Sequence, residues 1–150
     1  MIAVIQRVSE AKVSIEGKLK AEICDGFLIL LGVAKDDTAE DIAWLAKKIV
    51  EMRVFGDLDG KMNKSIKETK GDILLISQFT LLAQTKKGNR PSFANAARPE
   101  VAIPLYESMI RELNMMLDKP IFTGVFGADM KVALINDGPV TIILDSKSRI

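Results

Sequence analysis

From Ala11 to Ile23 apolar residues fall at every second position, with Ala11, Val13 and Ile15 on one arm and Leu19, Ala21 and Ile23 on the other, joined through Gly17-Lys18. Only an extended strand turns alternate side chains to one face, so this stretch dictates a β-hairpin. Residues Ile2 to Val8 read as an earlier strand. Phe27 to Val33 is almost wholly apolar, as expected of a strand covered on both faces. Four strands are thus expected to open the chain.

Helical spacing follows. Thr38 with Asp41 three residues later resembles a capping box, and Ile42, Leu45, Ala46 and Ile49 continue at the period of a helix. The expected span is 38–52. Arg53 to Phe55 reads as a short strand and Gly56 to Gly60 as a tight loop. The two aspartates of that loop, Asp57 and Asp59, lack the third ligand and distal glutamate of a calcium loop. Asp72 to Ser77 is a buried strand that delivers Ser77, Gln78, Phe79 and Thr80 at its C-terminal end, a usual place for functional groups. A second helix is expected from Pro99 through Leu113 toward Leu117, with a late start or a kink at Pro104, which lacks the N–H an interior position needs. Three strands then follow, over 121–126, 130–135 and 140–144. The tail from Ser146 to Ile150 reads as loose. With 150 residues, no repeat and no linker, the chain reads as one domain over 1–150 around one real core.

The chain holds no histidine, which removes Ser-His-Asp and Cys-His machinery, His-based zinc sites and any imidazole proton shuttle. Its one cysteine, Cys24, excludes internal disulfides and thiolate clusters and suits a reducing cytoplasm. No cation cluster adjoins Cys24, so it reads as a partly buried structural thiol. The first residues lack a basic leader and no apolar run approaches the length of a membrane span. A formal net charge of +1 does not announce a nucleic-acid partner, so any such partner must be argued locally.

Four local features stay open on composition alone. The hydroxyls and carboxamide of Ser77-Gln78-Phe79-Thr80 are either a catalytic strand exit or a satisfied strand end, because hydroxyls are poor nucleophiles without a nearby base. Gly138-Pro139 is either an ordinary turn or a cis peptide at the mouth of a strand. Lys86, Lys87 and Arg90 either hold phosphate or form a solvated basic cluster. Met130 either packs on a ligand ring or begins a strand.

Taken together, Met1 to Val8, Ser77 to Leu81, Arg90-Pro91-Ser92-Phe93 and Asn136-Asp137-Gly138-Pro139-Val140-Thr141 occur in the order seen in D-aminoacyl-tRNA deacylases. The chain resembles that family from residue 1 to about 145. The resemblance implies a mixed α/β fold with β/β/α layers and two main helices. It implies hydrolysis of the ester joining a D-amino acid, or mischarged glycine, to the terminal adenosine of tRNA. It also implies a homodimer with active sites at the subunit interface, where the cis Gly138-Pro139 pair of one copy inserts into the pocket of the other and excludes L side chains with rigid backbone. Glycine, with no side chain to exclude, passes.

By the same likeness Arg7 holds the Gly-Pro loop with its forked donors. Ser77, Gln78, Phe79 and Thr80 line the opposite wall, where backbone N–H groups serve either the region of the substrate's α-amino group or a developing oxyanion. Met130 packs near the adenine. Of two mechanisms, attack by the Thr80 hydroxyl and attack by water assisted by the ribose 2′-OH, the second is favoured, because no histidine, carboxylate or lysine is assigned to deprotonate Thr80. No metal or cofactor is expected. Lys86, Lys87 and Arg90 are the expected phosphate contacts. The competing readings are a non-catalytic binder of the tRNA acceptor end and an interaction protein whose dimer matters more than its pocket.

Overall fold

The first two strands expected from the alternation are one. In a computed structural model, which describes residues 1–149, β1 runs unbroken over Ile2–Ile15. Its first half pairs antiparallel with β3 (Gly26–Gly32) and its second half with β2 (Lys18–Ile23). Its other edge is covered end to end by β8 (Lys131–Asp145), which joins what the sequence reading separates into 130–135 and 140–144. Both expectations failed for one reason. Each strand breaks its pattern only at a bulge, and the pairing continues on either side of it.

The remaining elements are α1 (Ala39–Glu51), β4 (Arg53–Gly56), β5 (Met62–Ser65), α2 (Ile66–Thr69), β6 (Asp72–Ser77), α3 (Pro99–Leu117) and β7 (Phe122–Thr123). Strand order in the main sheet is β2-β1-β3-β6-β7 with β8 on β1; β3, β6 and β7 run parallel and β4 pairs with β5 alone. The sheet curls until the Lys20 ammonium of β2 reaches the carbonyl of Thr123 in β7 at 3.5 Å. The fold is mixed α/β with a nearly closed sheet, two long helices and the four-residue α2.

Two cores lie on opposite faces of β3 and β6. Phe27, Ile29, Leu31, Ile73 and Leu75 pack with Leu45 and Ile49 of α1 and Met109 and Leu113 of α3. Leu28, Leu74 and Ile76 turn the other way and meet Val8, Val13 and Ile23 inside the curl of the sheet. This explains why these strands lack alternation, since both faces are dry. Burial of each such side chain is worth about 1.5–3 kcal/mol.

Helix α1 begins as its sequence predicts. Thr38 caps it and Asp41 Oδ2 accepts the Thr38 N–H at 2.8 Å. Helix α3 does not start late, for Pro99 occupies its first turn, and its assignment continues through Pro104 to Leu117. Cys24 is exposed, in the bend between β2 and β3, and not half-buried as expected.

The end of the chain also departs from expectation. Ser146 is buried, accepting from the Met1 ammonium at 2.9 Å and donating to Asp41 Oδ1 at 2.6 Å. Lys147 lies 2.9 Å from Asp41 Oδ2, and the Met1 ammonium lies 2.6 Å from Asp37. Charged groups with buried partners hold Ser146 and Lys147 in place where composition alone suggested looseness. Ile150, the last residue of that expected tail, lies outside the described residues. Among the described residues no helix is long and apolar enough to cross a membrane.

Candidate functional site

Where β6 ends, the Gln78 N–H donates to the Leu31 carbonyl at 2.8 Å, carrying the parallel ladder one residue past Ser77. The chain then tightens into a 3₁₀ turn over Phe79–Leu82, with Leu81 N–H on the Gln78 carbonyl at 3.2 Å and Ala83 N–H on the Thr80 carbonyl at 3.1 Å. The Gln78 carboxamide donates to the Thr80 hydroxyl. Gly32 permits this turn to sit on β3. A Cβ there would come within 2.6 Å of Leu82 Cδ2 and 3.1 Å of the Gln78 carbonyl oxygen.

Ser77, Gln78 and Phe79 line a cavity of about 260 Å³ together with Met130 and the segment Phe126 to Asp129. Leu31 and Val33 also line it, as do Ala97 and Ala102, the latter on α3. Two aromatic contacts frame it. Phe79, 54 % exposed, meets Phe93 edge-on with centroids 4.9 Å apart, and Phe126 lies 5.8 Å from the buried Tyr106 ring. The Tyr106 hydroxyl donates to the Leu75 carbonyl at 2.9 Å, and burial pushes its pKa up to about 12, so it stays a neutral donor. Asp129, the ionisable residue on the lining, is exposed and pairs with Lys131 at 3.1 Å. The cavity is therefore largely apolar with a polar strand exit on one side, a form suited to a flat ring and a short polar chain.

Gly138, Pro139 and Arg7 lie elsewhere. Between the pairs Gln6–Thr141 and Val8–Asn136, Arg7 faces the four residues Asp137 to Val140, which bulge out of the ladder. Arg7 Nε donates to the Asp137 carbonyl at 2.8 Å and Nη1 to the Val54 carbonyl at 2.6 Å. Asn136 pinches the base of the bulge, accepting the Val140 N–H at 2.8 Å and donating to Thr141 Oγ1 at 2.8 Å. The Gly138–Pro139 bond is cis. Glycine is required at 138, where φ is +144° and a Cβ would fall 2.8 Å from Val140 Cγ2 and 3.1 Å from Arg7 Nη2. Gly138 and Pro139 are both exposed and neither lines the cavity.

Lys86 and Lys87 border a separate open groove of about 510 Å³ with Gln84, Thr85 and Ser92; Arg90 is exposed but not on its lining. Backbone bonds between Gln84 and Ser92 at 2.8 and 2.9 Å clamp the base of this loop. Within one chain, then, Ser77, Gln78, Phe79 and Met130 come together, Thr80 joins them through Gln78, and the Arg7 and basic groups stand apart. Sequence reasoning missed Ala97 and Ala102, small residues with no chemical signature of their own. Among the described residues no three Asp, Glu or Cys side chains gather as a metal site.

A family described as D-Tyr-tRNA(Tyr) deacylase matches residues 4–145. Proteins named D-aminoacyl-tRNA deacylase from Cytophaga hutchinsonii and Bacteroides thetaiotaomicron are each 58% identical over 149 residues, covering 99% of both chains. Among solved structures, one titled c-Myc DNA Unwinding Element Binding Protein superposes with a TM-score of 0.91 at 40% identity, covering 97% of this chain and 98% of that one. A probable eukaryotic D-amino acid tRNA deacylase shares the fold, with a TM-score of 0.83 at 15% identity over 95% and 97% of the two chains.

Proposed function

The chain belongs to the D-Tyr-tRNA(Tyr) deacylase family, and from that premise we propose that it hydrolyses D-aminoacyl-tRNA in the cavity between Ser77-Gln78-Phe79 and Met130. The observation that carries the reading is the convergence of these residues, remote in sequence, on one small apolar pocket with a polar strand exit. The terminal adenosine packs against Met130 and Phe126, and the aminoacyl ester lies along Gln78, Phe79 and Thr80.

Water adds to the ester carbonyl, the bond between the acyl carbon and the ribose oxygen breaks, and that oxygen takes one proton of the water while the other passes to solvent as the D-amino acid leaves as a carboxylate. The first N–H groups of the Phe79–Leu82 turn have no acceptor within the turn, which suits them to the developing oxyanion. The Thr80 hydroxyl accepts from Gln78 and positions the group; the ribose 2′-OH assists the water. Holding the reacting groups in place supplies much of the barrier reduction for an already labile ester.

Chirality is read by a second copy of the chain. Its Gly138-Pro139 segment closes the cavity as a wall of backbone, excludes L side chains and lets glycine through. Two features support the homodimer. Asp137, Gly138 and Pro139 of the bulge are exposed, and Arg7 holds the Asp137 carbonyl. Among the described residues β8 pairs only with β1, leaving a fifteen-residue edge that carries Ile135 and Ile143, 53 % and 67 % exposed; an edge of that length and apolarity invites a partner. Lys86, Lys87 and Arg90 contact phosphates of the acceptor arm. The reaction belongs in the cytoplasm, with the charged tRNA.

Purified protein is given tRNA charged with D-tyrosine, L-tyrosine or glycine under identical conditions, and free amino acid is measured. Release of D-tyrosine and glycine but not L-tyrosine is expected. Equal cleavage of both enantiomers overturns the chiral reading, and tight binding without release leaves an acceptor-end binding module.

A further inference from the structure

Gly124 follows β7 directly, and its φ lies outside the left-handed range that favours glycine. Space is what selects glycine. A Cβ at 124 would fall inside the envelope of Met130 Sδ and 3.2 Å from Ile76 Cδ1. Ile76 is 2 % exposed and fixed in the core within the curled sheet. Met130 is half-buried, on the cavity lining, and has an unbranched side chain with several rotatable bonds. If a methyl appears at 124, Met130 is the neighbour that gives way, and the free volume beside it is the cavity.

We infer that Gly124 is a positioning residue that seats the Met130 sulfur and thereby sets the depth of the pocket for the terminal base. This rests on the reading of the cavity as the seat of that adenosine. The glycine touches no reacting atom. It acts through Met130, by withholding a side chain from the place where the sulfur lies.

The test compares Gly124→Ala, Met130→Ala and the double variant, with D-tyrosyl-tRNA as substrate. Gly124→Ala should raise KM about tenfold with kcat within about twofold, since a misplaced methylene in a pocket is worth roughly 10- to 200-fold and base binding is shared by ground and transition states. In the Met130→Ala background the same substitution should change KM by less than about twofold, because the clashing sulfur is gone. Additive effects in the double variant overturn the inference. So does a Gly124→Ala chain that unfolds while the double variant folds, which would place the glycine's role in folding. If the unsubstituted protein releases no D-tyrosine, the functional reading fails by itself. A crystal structure of Gly124→Ala then decides: Met130 swung into the cavity supports the inference, and Met130 unmoved overturns it.

Discussion

Arg7 Nε donates to the carbonyl of Asp137 at 2.8 Å, and the same guanidinium reaches the carbonyl of Val54 at 2.6 Å. One side chain on β1 thus ties the bulge of β8 to the small β4–β5 sheet, at the point where the long ladder is interrupted. A planar fork with separated donors can hold two backbone oxygens at once, whereas a lysine ammonium offers a single point of charge.

Arg7→Lys should therefore loosen the bulge while leaving the cores intact. Its kcat/KM on D-tyrosyl-tRNA should fall about tenfold or more, with unfolding free energy in urea changed by less than about 1.5 kcal/mol. Unchanged kinetics would separate Arg7 from the site.

Thr80→Ala distinguishes positioning from attack. With the hydroxyl serving only as an acceptor for Gln78, kcat should drop less than about tenfold, and a substrate whose terminal ribose lacks the 2′-OH should be the poorer one for the unsubstituted protein. A loss on the order of a thousandfold in Thr80→Ala, with the deoxy substrate still turned over, would make the threonine the nucleophile.

If Lys86, Lys87 and Arg90 contact phosphates, activity at subsaturating tRNA should fall with rising salt. Replacing all three by alanine should reduce the slope of log(kcat/KM) against log[salt] by about 2 to 3. An unaltered slope would return them to solvent.

Asp41 predicts a pH dependence. Burial pushes its carboxyl up, but hydrogen bonds from Ser146, Lys147 and the Thr38 N–H, with the charge of Lys147, outweigh it and hold the group well below the usual carboxylate range. A folded-state value beneath the unfolded one means that the stabilisation is fully present above about pH 4 and is lost as pH falls toward the folded value. Unfolding followed from pH 6 down to pH 2 should show the stability advantage over Asp41→Asn constant at first, then shrinking below about pH 4. A difference independent of pH would show that the carboxylate's charge is not what matters.

Much of this was legible from residue patterns. The Thr38–Asp41 box and the spacing of Ile42, Leu45, Ala46 and Ile49 specify α1 locally, and the apolar block before Ser77 specifies β6. The misses were non-local. Nothing in Val8 to Ala11 says that the strand continues, because β8 on the far side supplies the continuity. Pro104 is carried by packing of Ala102, Tyr106 and Met109, which outweighs one lost hydrogen bond. Strand β5 and helix α2 carry little apolar pattern, since Asn63, Lys64 and Ser65 are polar, although Ser65 and Glu68 form a second capping box. As for the site, Ser77, Gln78, Phe79 and Met130 carry polar or soft groups that draw attention, while Gly32 and Gly124 matter by what they lack.

The two faces of β3 and β6 have a last implication for the pocket. Because odd and even residues serve different dry interiors, sliding β6 by one position would exchange Leu75 with Ile76 and spoil both packings together. The height at which Ser77 emerges is thus fixed by a double lock. Evolution can retune the rim of this enzyme far more readily than it can move its floor.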